Sequence, residues 1–317
     1  MRDLIYSLNI VLPLFLIGVL GYFLRVKGIV DMNFMDKGVS LCFKLLLPFM
    51  LFNEIYTSDI VGGFNPKTFA FGVIGTFLSI FLTFVYAKFC IKSEDKRSAI
   101  AHGIFRSNFI MMGVPIVENM YGAGSTVNAA ALLPIVIPMF NVAAILVFTL
   151  YAPRAEGEKR VSVKSVIMKI VKNPLIIAVF VAAVFKILNI KLPTFAMTTV
   201  SYIARTSTTM SLLTIGGLFE VSQAKKNLKY SLATCFARLI IVPFIAISIA
   251  VALGFKGVDL ATLLILFGSP TAVSSAAMAK NLGGDYKLSG DITMLSAFFS
   301  IFTMFGFIFI LKSLSLL

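Results

Sequence analysis

Ten apolar runs, each about long enough to cross a bilayer and joined by short loops, dictate what this chain can become. They cover roughly residues 4–24, 37–56, 67–90, 98–121, 125–151, 166–188, 193–219, 228–252, 258–281 and 288–312. A helix needs about 20 apolar residues to span the ~30 Å hydrocarbon core, and in lipid only helices and closed barrels satisfy the backbone. Long uninterrupted apolar runs exclude the barrel. The expectation is an all-α polytopic membrane protein with ten transmembrane helices. Composition agrees: 59% of residues are hydrophobic, 13% are charged and the mean hydropathy is +0.97, whereas soluble domains are only ~45–50% apolar. The first run lacks a small-residue cleavage site and is read as span 1, not as a removable signal.

Loop charge gives an orientation. Of the 28 Lys and Arg, 18 fall on the side holding loops 1-2, 3-4, 5-6, 7-8 and 9-10, six fall on the side with both termini, and four (Lys44, Arg106, Arg205, Arg238) lie within spans. Cytoplasmic loops are rich in Lys and Arg, which places both termini outside the cytoplasm in a cell membrane. The net charge of +14 is then a basic cytoplasmic face against anionic lipid, not a nucleic-acid surface. Cys42, Cys90 and Cys235 show neither metal-ligand nor CxxC spacing, so no disulfide framework, metal site or cofactor is read.

A gapless shift of 161 residues lays the second half over the first. It puts Pro13 on Pro174, Lys44 on Arg205, and the MYG ending at Gly122 on the NLG ending at Gly283. Each half holds five spans, an odd number, so the second copy enters the membrane from the opposite side. That is an inverted repeat, the architecture of many secondary transporters. Residues 1–151 form the first five-helix repeat, 152–165 a polar cytoplasmic linker and 166–317 the second repeat.

The fourth span of each half is interrupted. Span 4 carries RSNFIMMGVPIVENMYG from Arg106 to Gly122, and span 9 reads FGSPTAVSSAAMAK from Phe267 to Lys280. In span 9, Gly268 can end one helix, Ser269 can cap the next and Pro270 fits a first helical turn. In span 4, Ser107, Asn108, Gly113 and Pro115 form a similar cluster; the prolines do not superimpose under the shift, but Asn108 falls on Ser269. Broken helices at mid-depth expose backbone groups that lipid cannot satisfy, so the breaks must line a protein-enclosed or wet cavity. Half-helix N-termini there favour a carboxylate or another small anion.

Charge within the spans points the same way. At ~1.5 Å per residue, Arg106 lies about 13 Å in from Arg97, Arg238 about 15 Å in from Leu228 and Arg205 about 18 Å in from Pro193. Such depth suggests function and a positive midplane potential. The competing reading is structural, with the arginines bonded to backbone carbonyls or paired with Glu54 and Glu118. Lys44 and Lys280 sit nearer the cytoplasmic ends and are expected to snorkel. His102, the sole histidine, is read as structural.

The stretches LPLFLIGVLGYFLRVKGIVD, LLLPFMLFNEI, SNFIMMGVPIVENMYG and PTAVSSAAMAKNLGGD resemble patterns of the auxin efflux carrier family. That family includes plant auxin exporters and bacterial permeases assigned to small organic acids, and the likeness covers nearly the whole chain. The resemblance implies ten helices in two inverted repeats, with a scaffold of spans 1, 2, 6 and 7 and a mobile transport unit of spans 3–5 and 8–10. It also implies elevator-type movement and, as in plant members, a homodimer. It makes Asn108 the substrate-contacting residue of the span 4 crossover, with Pro115 in the same motif and Pro270 in the span 9 crossover. Two departures stand out: span 7 reads RTSTTMSLL where members often show a proline, and the linker lacks the long regulatory loop of many plant exporters.

The leading hypothesis is a secondary transporter of small organic anions, such as malate, malonate or an auxin-like acid, working by alternating access where spans 4 and 9 cross. Asn108 would hydrogen-bond the substrate, with Ser107, Ser269, Thr271, Ser274 and freed backbone N–H groups completing the cradle. Arg106 would offset charge, and Gly113, Pro115, Gly268 and Pro270 would shape the crossing. A cation/proton antiporter would need carboxylates near the crossing, where span 9 shows none and span 4 only Glu118, about 15 Å beyond Asn108. An intramembrane enzyme would need a nucleophile with a base or metal ligands, which one histidine and scattered cysteines do not supply. A membrane receptor binding at the same cleft differs from a carrier only in moving no solute.

Overall fold

Capping residues set where the helices begin. Asn65 and Asn173 each precede a proline, and each side chain accepts from the N–H two residues on, at Lys67 and Leu175. Proline at the first helical position loses no hydrogen bond, so Asn-Pro is a strong start. Asp31 and Asp285 cap in the same sense, accepting from Phe34 and Leu288. A computed structural model of the chain describes residues 13, 16–57, 65–109, 114–122, 125–151, 167–168, 170–219 and 221–317, with backbone alone at 114, 115, 119 and 221–224.

The described elements are α1 (Leu16–Val26), α2 (Met32–Thr57), α3 (Pro66–Cys90), α4 (Glu94–Phe105), α5 (Val114–Tyr121), α6 (Val127–Tyr151), α7 (Pro174–Ile187) and α8 (Thr194–Gly217). They continue with α9 (Val221–Phe236, running on through Ala237–Ile241 and Val242–Ala252), α10 (Gly257–Gly268), α11 (Ser274–Leu282) and α12 (Tyr286–Ser313). Among the described residues α2, α3, α6, α9 and α12 are long and apolar enough to cross a membrane, while α1, α7 and α10 are shorter apolar helices. Under the 161-residue shift Met32, Glu94 and Tyr121 move to 193, 255 and 282, beside the observed boundaries at Thr194, Gly257 and Leu282.

The second half of α2 packs against α7 and α8, α3 packs against α4, α6 and α10, and α9 packs along α12. Two short helices that end at the interruptions lie deepest. Leu260 to Gly268 of α10 and Ser98 to Phe105 of α4 are buried residue by residue, whereas α3 turns Phe77, Phe81 and Phe89 outward. A helix buried on every face belongs to the centre of a bundle. The Asp259 carboxylate ties three helix starts together, accepting from Asn65 Nδ2, Thr68 Oγ1 and Asn128 Nδ2 at 2.7–2.8 Å. Both α2 and α9 contain one widened π turn, at Cys42–Leu46 and Ala237–Ile241, a feature that often flags a functional position.

α1 and α8 touch backbone to backbone. A Cβ at Gly216 would lie 1.9 Å from the Gly18 carbonyl oxygen, and one at Gly21 would lie 1.9 Å from that of Leu213. Small residues allow this approach in lipid, where van der Waals packing drives helix association. Gly216→Ala is expected to cost roughly 1–3 kcal/mol by overpacking, read as a lower melting temperature in detergent. Gly306→Ala, with nothing within 4 Å, should leave that temperature unchanged or slightly raised.

Candidate functional site

α4 stops at Phe105, and Arg106 takes extended backbone with φ −75° and ψ 113°. Ser107 then forms an antiparallel bridge with Thr271, beside which the Asn108 N–H donates to the Pro270 carbonyl at 2.9 Å. Two interrupted helices thus cross through one strand-like contact. α10 ends at Gly268, Ser269 is extended with φ −63° and ψ 150°, and α11 starts at Ser274. The expectation that Ser269 caps the next half-helix, with Pro270 in its first turn, is corrected. Pairing across the crossing needs extended residues here, and proline itself biases its predecessor away from the helix.

Interruption frees carbonyls, and the protein supplies donors for them. Pro270 has no N–H, so the Leu266 carbonyl, four residues back, loses its helical donor. Ser107 Oγ donates to it at 2.7 Å and Arg238 Nη2 at 3.3 Å. The Asn108 N–H is spent on Pro270, and the Ile104 carbonyl takes Arg238 Nη1 at 3.3 Å instead. Gly103 accepts from the Thr271 hydroxyl at 2.8 Å, and the Ser269 carbonyl accepts from Arg238 Nε at 2.9 Å. Arg238 sits on the π turn of α9 and is 1% exposed. Its fork therefore holds both broken helices through backbone oxygen, which is the structural reading of this arginine.

Beside the crossing lies a cavity of about 40 Å³, room for roughly three waters. Arg106, Ser107 and Asn108 line it from the crossing, Glu54 from α2, Phe140 from α6, Thr208 and Ser211 from α8, and Val273 and Ser274 from the start of α11. The Arg106 guanidinium donates to Asn141 Oδ1 at 3.0 Å and to Ser274 Oγ at 3.3 Å, and lies 5.5 Å from the Phe140 ring centroid. These contacts aim it without neutralising it. Arg106 Nε, Asn108 Nδ2 and Glu54 Oε2 are enclosed with no hydrogen-bond partner among the described residues. Unpartnered buried polar atoms are costly, and three of them, two from opposite charges and one from an amide, at one cavity suit a polar guest.

Four expected site residues, Arg106, Ser107, Asn108 and Ser274, line this cavity. Ser269 and Thr271 are at the crossing but not in the lining; the Thr271 N–H donates to Ser296 Oγ at 3.2 Å, and its hydroxyl is already used. Gly113 lies outside the described residues, as does the side chain of Pro115. Arg205 and Glu118 are exposed, and neither is a cavity group. The expected positive midplane is therefore weaker, because Glu54 opposes Arg106 within one cavity. Lys280 pairs with Asp36 and lies 5.0 Å from the Tyr286 ring centroid, not free at the interface, while Lys44 is exposed. His102 is fully buried between Phe105 and Phe148, at ring distances of 5.3 and 4.9 Å. Sequence reasoning missed Asn141 as the orienting partner of Arg106, and also the buried carboxylate of Asp291, which accepts from Asn227 at 3.3 Å. A lone amide in the apolar stretch around Asn141 was the available signal.

A family model described as membrane transport protein matches residues 6–308, nearly the whole chain. The chain belongs to that membrane transport family. The auxin efflux carrier resemblance seen in the sequence points to the same family. The transporter's fold is similar to that of the sodium proton antiporter MjNhaP1 from Methanocaldococcus jannaschii, with a TM-score of 0.57 over 95% of each chain at 10% identity. No match is found among curated proteins.

The carbonyl clamp gives a direct test. Arg238→Met should leave the Ile104 and Ser269 carbonyls short of a donor, at roughly 1–3 kcal/mol for each left unsatisfied, with Leu266 still held by Ser107, and should lower the melting temperature in detergent. Arg238→Lys, with a point charge in place of a planar fork, should fall between Met and wild type.

Proposed function

We propose that this transporter is a secondary carrier of small organic anions, binding them where the two broken helices cross. One observation carries the reading: the enclosed Arg106 guanidinium and the unpartnered Asn108 amide face the same cavity at the first turn of α11. A guanidinium, an amide donor and a half-helix N-terminus together complement a carboxylate. The cavity also has one wall from α2 and α8 and another from the crossing. Those are the elements that the scaffold and transport units would contribute, and the packing of α2 on α7 and α8 supports that division. Room for roughly three waters means that a carboxylic acid is admitted only when the walls part, as an elevator-type movement in a cell membrane would provide. Matching helix boundaries under the 161-residue shift support an inverted repeat of residues 1–151 and 166–317, and the Lys and Arg bias of the loops supports both termini being extracytoplasmic.

Cation/proton antiport is the second reading. Glu54 supplies the carboxylate that the crossing itself lacks, and the fold neighbour is titled a sodium proton antiporter. Against it, Glu54 is the sole carboxylate among the described residues of the lining and shares the cavity with a guanidinium, which competes with any bound cation.

Flux of labelled malate, malonate and indole-3-acetate into proteoliposomes tests the proposal. Asn108→Ala should abolish counterflow while the protein still inserts and melts cooperatively; normal counterflow would remove Asn108 from the site. Arg106→Gln should weaken anion binding about 10- to 100-fold, as expected for loss of a charge-assisted hydrogen bond, and weaken neutral analogues much less. Equal losses for both would count against a charge role.

A further inference from the structure

The cavity holds one cationic and one anionic side chain, and the pairing does not close as an ordinary salt bridge. No hydrogen bond joins Glu54 to Arg106 within the described residues; Arg106 spends its two terminal nitrogens on Asn141 and Ser274, and Arg106 Nε and Glu54 Oε2 are left enclosed and unpartnered. The two groups balance each other's charge across the space a guest would occupy. They come from different elements, α2 and the crossing. The other described charged groups near α2, Asp36 with its partner Lys280 among them, do not line the cavity. Lys186 of α7 donates to the Ile55 carbonyl at 3.1 Å, Arg205 of α8 is exposed and Lys44 of α2 itself is exposed. The α6 helix brings Asn141 and no Asp, Glu, Lys or Arg, and His102 of α4 is enclosed by Phe105 and Phe148.

Without a guest, Arg106 and Glu54 sum to zero. A carboxylate guest beside Arg106 would leave two negative groups on one guanidinium in a mostly apolar enclosure, which like-charge repulsion and the cost of unbalanced charge in the membrane both oppose. We propose that Glu54 carries a proton with the anion: its carboxylate takes one proton from hydronium, giving the carboxylic acid and water, as the guest replaces it as counter-charge to Arg106. When the guest leaves on the other side, Glu54 returns the proton to water there. No oxidant, reductant or further reactant is needed. Transport of each anion carboxylate that displaces Glu54 is thereby coupled to one proton moving in the same direction.

This inference rests on the organic-anion reading, and the experiment separates the two. Wild-type protein and Glu54→Gln are reconstituted into liposomes containing pyranine, with the membrane potential clamped, and labelled malate, malonate and indole-3-acetate are the probes. In the wild type, malate uptake should acidify the lumen, and one pH unit of inward gradient should raise malate accumulation ~10-fold. Per malate transported, Glu54→Gln should lose both the acidification and the gradient-driven accumulation, and Glu54→Asp should restore them in part. Wild-type malate uptake without lumenal acidification overturns the coupling, whatever the variants do. So does a sodium gradient replacing the proton gradient, or Glu54→Gln accumulating malate as the wild type does. No counterflow of any of the three probes by the wild type instead removes the organic-anion reading, and the coupling falls with it.

Discussion

Pro270, which has no N–H, lies buried where the two interrupted helices cross, and the hydrogen bonding of the whole crossing answers to it. Pro270 strips the Leu266 carbonyl of its helical donor, and at this buried position that carbonyl cannot turn to water. The protein answers by bringing a second interrupted helix alongside, so that Ser107 and Arg238 reach Leu266 and the Asn108 N–H reaches Pro270 itself. Each break supplies what the other lacks. Neither would be tolerable alone, and together they leave few backbone groups for a cavity to satisfy.

This distribution of partners separates the two deep arginines by role. Arg238 is consumed by carbonyls of both broken helices, so it fixes the geometry of the crossing. Arg106 is held by an amide and a hydroxyl, neutral groups that orient a guanidinium and leave its charge available. Depth in the membrane is the same kind of evidence for both. The partners alone tell them apart.

Much of the fold could be read from the chain, because each apolar run has to be a helix and each Gly, Ser, Asn or Pro cluster has to be a break. The Gly268-Ser269-Pro270 sequence announced where α10 ends. Where α11 starts was not legible: the extended stretch through Thr271 is set by pairing with Ser107, 164 residues away, and local capping rules favoured an earlier start. Glu54 was visible as a carboxylate in a span, but whether it faces lipid, a neighbour or the crossing depends on how α2 is rotated. Nothing local fixes that rotation. Arg205 shows the same gap in reverse, equally deep by residue count yet exposed on α8.

We place the solute of this transporter at the crossing of the two broken helices. The most direct measurement is an experimental structure of the full chain in lipid nanodiscs with a saturating small dicarboxylate. Anion density is expected within hydrogen-bond reach of Arg106 and Asn108 at the first turn of α11, in a cavity enlarged by separation of α2 and α8 from the crossing. Density bound elsewhere, with Arg106 and Asn108 making only protein contacts, would contradict that placement.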